Sequence, residues 1–133
     1  MNVRLAVRLL VLATATALAA ACTQAPATKR PTITSAALAE QIRTGNAPLI
    51  LDVRTPDEYR AGHVPGSVNI PIDELPARLA ELPIAKTDEV VVYCERGGRA
   101  AKGEEILAGA CYAHPVDLEN HMQGWRRSGL PVE

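Results

Sequence analysis

The sequence predicts an α/β domain with a largely parallel central sheet and helices on both of its faces. Two observations lead to this class. Apolar runs without polar alternation, at 49–53 and 90–93, are typical of strands that are covered on both faces. Segments with helical spacing and capping residues separate these runs along the chain. Strands that alternate with helices form parallel sheets, because each helix returns the chain to the same edge.

The first elements follow from short signals. Ile33 begins a short strand, and Thr34 or Ser35 then caps a helix that ends at Gly45. The next apolar run has Asp52 at its carboxyl end. Ligands of parallel sheets bind at the carboxyl ends of the strands, so Asp52 is a candidate site residue.

Two helix starts are predicted in the middle of the chain. Thr55, Pro56 and Glu58 have the spacing of a capping box with proline at the first helical position. Asp73 is expected to cap a further helix, which Pro83 ends.

The remaining elements follow the second long apolar run. A helix is predicted over 99–108, a last strand over 112–118 and a short helix over 122–127. Pro115 interrupts the last strand, and proline removes a ladder donor. We therefore expect that strand at an edge of the sheet.

Residues 1–21 are typical of a secretory signal and lie outside the predicted domain. They contain Arg4 and Arg8 but no acidic residue, and an apolar run precedes three alanines. That run is short for a transmembrane anchor, which is the alternative.

The cysteine that follows these alanines, Cys22, resembles the cleavage site of bacterial lipoproteins. We therefore expect a lipid on Cys22 that tethers the protein to a bacterial membrane in the periplasm, with soluble secretion as the alternative. Residues 22–32 lack apolar periodicity and predict a flexible tether. Residues 33–133 then form the single domain.

Composition excludes some classes of function. The formal net charge is −1, and the chain has one tryptophan, three tyrosines and no phenylalanine. Without a basic tract or stacking side chains, we expect no nucleic-acid partner. Cys94 and Cys111 have neither a redox-pair nor a metal-ligand spacing, so neither a metal nor a cofactor is predicted. The domain is large enough to need no disulfide, and Cys111 is expected to be packed.

Cys94 is the candidate nucleophile. It ends a buried strand, Gly97 and Gly98 let the backbone curl, and a helix follows. Free amides and the positive end of a helix dipole favour the thiolate, which is the reactive form. A small buried structural residue is the alternative for Cys94. The polar, flexible residues after it favour a loop that wraps an anion.

Several motifs occur in an order and spacing that resemble the rhodanese-domain family, and they cover the whole predicted domain. These motifs are Asp52-Val53-Arg54, Gly62-His63-Val64-Pro65-Gly66, Tyr93-Cys94 with Gly98-Arg99, and Trp125 ahead of Gly129-Leu130-Pro131-Val132.

The resemblance implies a sulfurtransferase in which Cys94 carries sulfur as a persulfide. A small sulfur-containing anion, thiosulfate or a persulfide, would be the donor, and cyanide, a thiol or a protein would be the acceptor. The expected substrate-binding loop consists of Glu95, Arg96, Gly97, Gly98 and Arg99. Its amides are expected to surround the sulfur.

The other site residues have supporting or open roles. The family pattern gives Arg99 the role of bracing the loop, whereas Arg96 either attracts an oxyanion or is solvated surface. Asp52 and Arg54 are expected to support the loop, with Asp52 accepting loop hydrogen bonds or pairing with an arginine.

Two alternative functions stay open. Related phosphatases and arsenate reductases have five residues between cysteine and arginine, whereas four separate Cys94 from Arg99 here. A non-catalytic binding module is the second alternative. The sequence departs from the family pattern in three places: Cys111 stands where glycine is frequent, Pro115 interrupts the last strand, and Asn120-His121 stands where many relatives have Gly-Gly. These departures bear on stability more than on catalysis.

Overall fold

A sheet of five parallel strands lies at the centre of the protein. The computed structural model describes Cys22 and residues 29–133. The strand order is β1-β5-β4-β2-β3, and all neighbours are parallel. The strands are β1 (Thr32–Ile33), β2 (Leu49–Asp52), β3 (Val68–Asn69), β4 (Glu89–Tyr93) and β5 (His114–Leu118). The predicted fold class is confirmed.

Helices cover both faces of the sheet. They are α1 (Ser35–Arg43), α2 (Pro56–Arg60), α3 (Leu75–Arg78) with a following 3₁₀ turn (Leu79–Glu81), α4 (Gly98–Gly109) and α5 (His121–Arg127). Ile50 of β2 packs in one apolar cluster with side chains of α1 and α5. The next residue, Leu51, packs in the opposite cluster with α3 and α4. This alternation makes the sheet the middle of three layers.

The helix caps agree with the sequence at two of three predicted starts. Thr34 accepts a hydrogen bond from the amide of Ala37, and Thr55 with Glu58 forms the capping box of α2. The prediction for Asp73 is wrong, because α3 has no side-chain cap. The carbonyl of Pro71 accepts the amides of both Glu74 and Leu75, so backbone groups close this turn instead.

The predicted edge position of β5 is wrong, since β5 lies between β1 and β4. The amides of Asp117 and Glu119 donate toward β1, to the carbonyls of Pro31 and Ile33. By alternation, the nitrogen of Pro115 faces the same side. Pro115 is in register with a position that precedes the first residue of the two-residue β1. The interior strand β5 therefore tolerates the proline without losing a ladder bond.

Cys22 and Cys111 form a disulfide, with their Cα atoms 5.7 Å apart. The expectation that Cys111 is simply packed is therefore wrong. Cys111 has a φ of 69° and follows α4 as the left-handed residue of a Schellman motif. Its amide donates to Ala108, and the amide of Tyr112 donates to Leu107. This conformation explains why the family pattern favours glycine there.

The described residues of the expected tether contact the domain. Arg30 forms ion pairs with Glu104 and Glu105, and Thr32 already belongs to β1. A flexible tether over 22–32 does not hold at these positions. A sulfur in a disulfide cannot also carry a thioether lipid, so this disulfide and lipidation of Cys22 exclude each other.

The predicted signal over 1–21 lies outside the described residues. Within the described part of the chain, no helix has the length and apolar character that a membrane crossing requires.

Candidate active site

Cys94 lies at the carboxyl edge of the sheet, between the end of β4 and the start of α4. Tyr93 is the register partner of Asp52 on β2, so the predicted nucleophile and carboxylate lie at the ends of neighbouring strands. The loop residues are half-buried or exposed, whereas Cys94 itself is only 1% exposed. Cys94 is therefore buried at the base of the loop, where it also belongs to the apolar cluster on that face of the sheet.

One loop amide points directly at the sulfur. Gly97 donates its N–H to Cys94 Sγ at 2.9 Å. Its φ of 125° is a conformation that only glycine adopts readily, so the glycine is needed for this donor. The amides of Glu95 and Arg96 form no hydrogen bond to any described residue. The amides of Gly98 and Arg99 likewise have no partner among the described residues, so the expected ring from Glu95 to Arg99 consists of one formed bond and four donors without a partner.

The first turn of α5 holds the outer side of the loop. The amide of Met122 donates to the carbonyl of Cys94 at 3.0 Å, and the amide of Gln123 donates to that of Glu95 at 3.3 Å. These two loop carbonyls therefore point away from the sulfur. A carbonyl oxygen directed at the sulfur would repel a bound anion. This brace has no sequence signature, because the two segments are distant in the chain.

Arg99 is held by Glu58 through two hydrogen bonds of 2.7 and 2.9 Å. Arg99, together with Thr55, lowers the pKa of Glu58 to about 2, against the opposing effect of burial. A guanidinium fixed in this way braces the loop. Arg96, by contrast, is exposed and forms no ion pair with a described residue.

Asp52 and Arg54 form a fully buried ion pair beneath the loop. The guanidinium contacts both carboxylate oxygens, at 2.7 to 3.0 Å. Arg54 also donates to the carbonyl of Gly62 at 2.9 Å, and its cation lies 5.6 Å from the centre of the Tyr93 ring. Burial lowers the pKa of Arg54, but Asp52 outweighs it and the pKa is raised. The Arg54 guanidinium therefore stays charged.

Glu95 links this buried pair to the loop. Its carboxylate accepts from Arg54 Nη1 at 3.3 Å and from Arg126 Nη1 at 2.6 Å. Asp52 therefore acts on the loop through Arg54 and Glu95 rather than by accepting loop amides. Arg126, on α5, is a site residue that the sequence reasoning missed.

The described residues contain no group of three or more His, Cys, Asp or Glu side chains that could hold a metal. The nearby His63 stacks on the Tyr59 ring at 3.6 Å, and its Nδ1 lies 2.9 Å from the Tyr59 carbonyl. Its ring thus fixes a turn and does not contact the sulfur.

The loop, its arginine and the strand-end pair can be compared with known families. The profile of the rhodanese-like domain matches residues 34–128. The chain belongs to the rhodanese-like domain family. Its fold and the order of its motifs agree with that membership.

Several proteins are similar to this rhodanese-like domain. A sulfurtransferase of Allochromatium vinosum is 31% identical over 100 residues, which cover 75% of this chain and 92% of that protein. The thiosulfate sulfurtransferase PspE of Escherichia coli is 41% identical over 64 residues, 48% of this chain and 62% of PspE. The crystal structure of a rhodanese-related protein from Thermoplasma volcanium is 34% identical with a TM-score of 0.67, covering 77% and 97% of the two chains.

Proposed function

We propose that this protein is a sulfurtransferase that moves a sulfane sulfur from thiosulfate or a persulfide to cyanide or a thiol. The observation that carries the proposal is the Gly97 amide, 2.9 Å from Cys94 Sγ, in a loop of four residues between Cys94 and Arg99. The names of the Allochromatium and Escherichia relatives support the reaction class, and that of PspE supports thiosulfate as the donor.

In the first step, the Cys94 thiolate attacks the outer sulfur of thiosulfate. A bond forms between Sγ and that sulfur, the S–S bond of thiosulfate breaks, and sulfite leaves with the electron pair. The unoccupied amides of Glu95 and Arg96 are available to the anionic outer sulfur. Arg96, exposed and without an ion pair to a described residue, is suited to attract the oxyanion.

In the second step, the acceptor attacks the outer sulfur of the Cys94 persulfide. The Sγ–S bond breaks, and its electron pair returns to Cys94 as the thiolate. Cyanide leaves as thiocyanate, and a thiolate leaves as a persulfide. No proton has to move if Cys94 is already ionised, so no general base is required. A protein thiol fits the same step as a small one.

The experiment is intact mass spectrometry of the purified protein after exposure to thiosulfate. We expect one added sulfur that cyanide removes as thiocyanate. Cys94→Ser should add none, whereas the Cys22→Ser/Cys111→Ser variant should still add one. Wild-type protein that gains no sulfur from thiosulfate or from a persulfide donor would refute the proposal.

The phosphatase and arsenate reductase alternatives make a different prediction. Turnover of an aryl phosphate or of arsenate, without sulfur transfer, would support them. A binding module would have an inert Cys94, visible as slow alkylation at neutral pH. The four-residue spacing and the names of the relatives favour sulfur transfer over both.

We also propose that the protein is exported to the periplasm. The basic and apolar residues of 1–21 support export. A disulfide between Cys22 and Cys111 is consistent with an oxidising compartment.

A further inference from the structure

The ring of His121 lies directly behind Gly97, the residue that donates to the Cys94 sulfur. A Cβ atom placed on Gly97 would lie 2.7 Å from Nε2 and 3.2 Å from Cδ2 of His121. The imidazole is thus in close contact with the glycine on the side where other residues carry a side chain. The glycine has no room to move toward α5.

His121 occupies a position that is costly for histidine. Its φ is 51°, in the left-handed region, and it directly follows Asn120 at 58°. Its side chain is 8% exposed, and Nδ1 has no hydrogen-bond partner among the described residues. Strain and an unpaired buried nitrogen in one residue point to a role beyond stability.

A charged side chain lies next to the ring atom of His121 that faces Gly97, and two further charged side chains belong to the same cluster. Asp117 of β5 has an oxygen 3.6 Å from His121 Nε2. Glu104 of α4, 1% exposed, pairs with Arg30 at 2.9 Å, and its second oxygen has no partner among the described residues. Arg30 also donates to the Ala101 carbonyl in the first turns of α4.

We propose, on the basis of the function proposed above, that His121 is a positioning residue that keeps the Gly97 amide directed at Cys94 Sγ. The ring contacts Gly97 and not the sulfur, so it acts through the glycine. The main-chain bond from Met122 to the Cys94 carbonyl holds the base of the same loop. Side chain and backbone of α5 therefore fix the two ends of the Gly97–Cys94 hydrogen bond.

Burial lowers the pKa of His121, against the opposing charge of Glu104. A neutral ring next to the loop supports the glycine without adding a charge that would draw anions away from Cys94. Asp117, Glu104 and Arg30 are the charged groups on the other elements packed around it. The ring is therefore a support rather than a proton donor.

The test compares His121→Gly and His121→Asn with His114→Asn. Glycine accepts the backbone conformation and removes the ring, whereas asparagine tolerates a positive φ but does not reach Gly97. His114 is an exposed histidine on β5, so its substitution is the matched control. Two readouts are used: the rate of sulfur loading from thiosulfate, and the fraction of Cys94 present as thiolate at pH 7, from its ultraviolet absorbance.

Both His121 variants should load sulfur about three- to tenfold more slowly and contain less thiolate, because one charge-assisted donor is no longer fixed. His114→Asn should match wild type. A folded His121→Gly with wild-type loading and thiolate fraction would overturn the proposal. If wild-type protein takes no sulfur at all, the proposed function fails, and the thiolate fraction still decides the role of His121.

A double variant separates the ring contact from the backbone strain. Gly97→Ala introduces both an unfavourable φ and the contact with His121. If the ring holds Gly97, Gly97→Ala/His121→Gly should retain more thiolate than Gly97→Ala alone. A double variant no better than the single one would count against the contact.

Discussion

Arg99 and Glu58 face each other through two hydrogen bonds, of 2.7 and 2.9 Å, so the arginine that ends the active-site loop is fixed by the residue that closes the capping box of α2. One carboxylate thereby joins two elements that are 41 residues apart in the chain. The clamp explains why Arg99 is not free to follow a substrate. It leaves Arg96 as the loop cation that has no ion pair with a described residue.

Glu58→Gln should loosen this clamp. We expect a loss of about 1 kcal/mol in the free energy of unfolding at pH 7, since a pair that is one-third exposed is partly screened. The pKa of Glu58 is about 2 in the folded protein, against an ordinary value of 4.5. Its stabilising effect is therefore present above pH 4.5 and is lost as the pH falls toward 2. Urea denaturation across this range measures the difference. Glu40→Gln, in an exposed pair with Arg43, is the control and should change little.

Asp52→Asn should be far more damaging. Arg54 would remain buried and charged without its counterion, which costs about 3 kcal/mol or more. Because Arg54 reaches the loop through Glu95, sulfur loading of Cys94 should slow as well. Urea denaturation and loading rates measure the two effects. Asp57→Asn, in an exposed pair with Arg60, should leave both unchanged. A mild effect at Asp52 would mean that the pair is not the support of the loop.

Glu104 should make stability depend on pH in the opposite sense from Glu58. Burial raises its pKa to about 7, with Asp117 acting in the same direction and Arg30 opposing. The protonated form is favoured in the folded protein, so the benefit is complete below pH 4.5 and is lost as the pH rises through 7. The free energy of unfolding of Glu104→Gln, relative to that of wild type, should therefore rise by about 1 to 2 kcal/mol between pH 5 and pH 8. Thermal unfolding at both pH values tests this. A constant difference would show that Glu104 does not titrate there.

Cys111→Gly and Cys111→Ala should differ although both remove the disulfide. Either change should cost about 2 to 4 kcal/mol through the lost crosslink. Glycine accepts the φ of 69° without strain, so Cys111→Gly should be about 1 kcal/mol more stable than Cys111→Ala. Denaturation without reductant compares them. Equal stabilities would contradict a strained cysteine at the Schellman position.

The state of Cys22 can be determined from the mass of the protein produced in bacteria from the full sequence, residues 1–133. The disulfide predicts a mature chain two hydrogens lighter than its reduced form, with one alkylatable thiol, Cys94. Lipidation predicts instead a lipid on Cys22 and a second free thiol at Cys111. Cys22→Ser should release the Cys111 thiol if the disulfide is present, and should remove the lipid if Cys22 is lipidated.

Local patterns are sufficient to predict the parallel sheet and to place Asp52 and Cys94 at the carboxyl ends of its strands. Apolar strands and capping residues are local signals, so they survive without tertiary information. The position of β5 could not be predicted, because Pro115 is tolerated only through the shortness of β1. β1 lies at the other end of the chain, so its length cannot be inferred from the residues around Pro115.

Contacts over long separations account for the rest. Arg126 and Glu95 are 31 residues apart, and Cys22 and Cys111 are 89 apart. Neither spacing has a sequence signature. The sequence predicts His121 as a surface or turn residue within a departure from the family pattern, but the side chain is buried. Its closeness to Gly97 depends on the turn at Asn120.

The Cys22–Cys111 bond closes a covalent ring that contains four of the five strands and Cys94 itself. A protease that cuts once inside this ring leaves two fragments that are still bonded to each other. A single cut of this kind would therefore not separate the nucleophile from the segment that precedes β1. Only a second cut, or reduction, would do so.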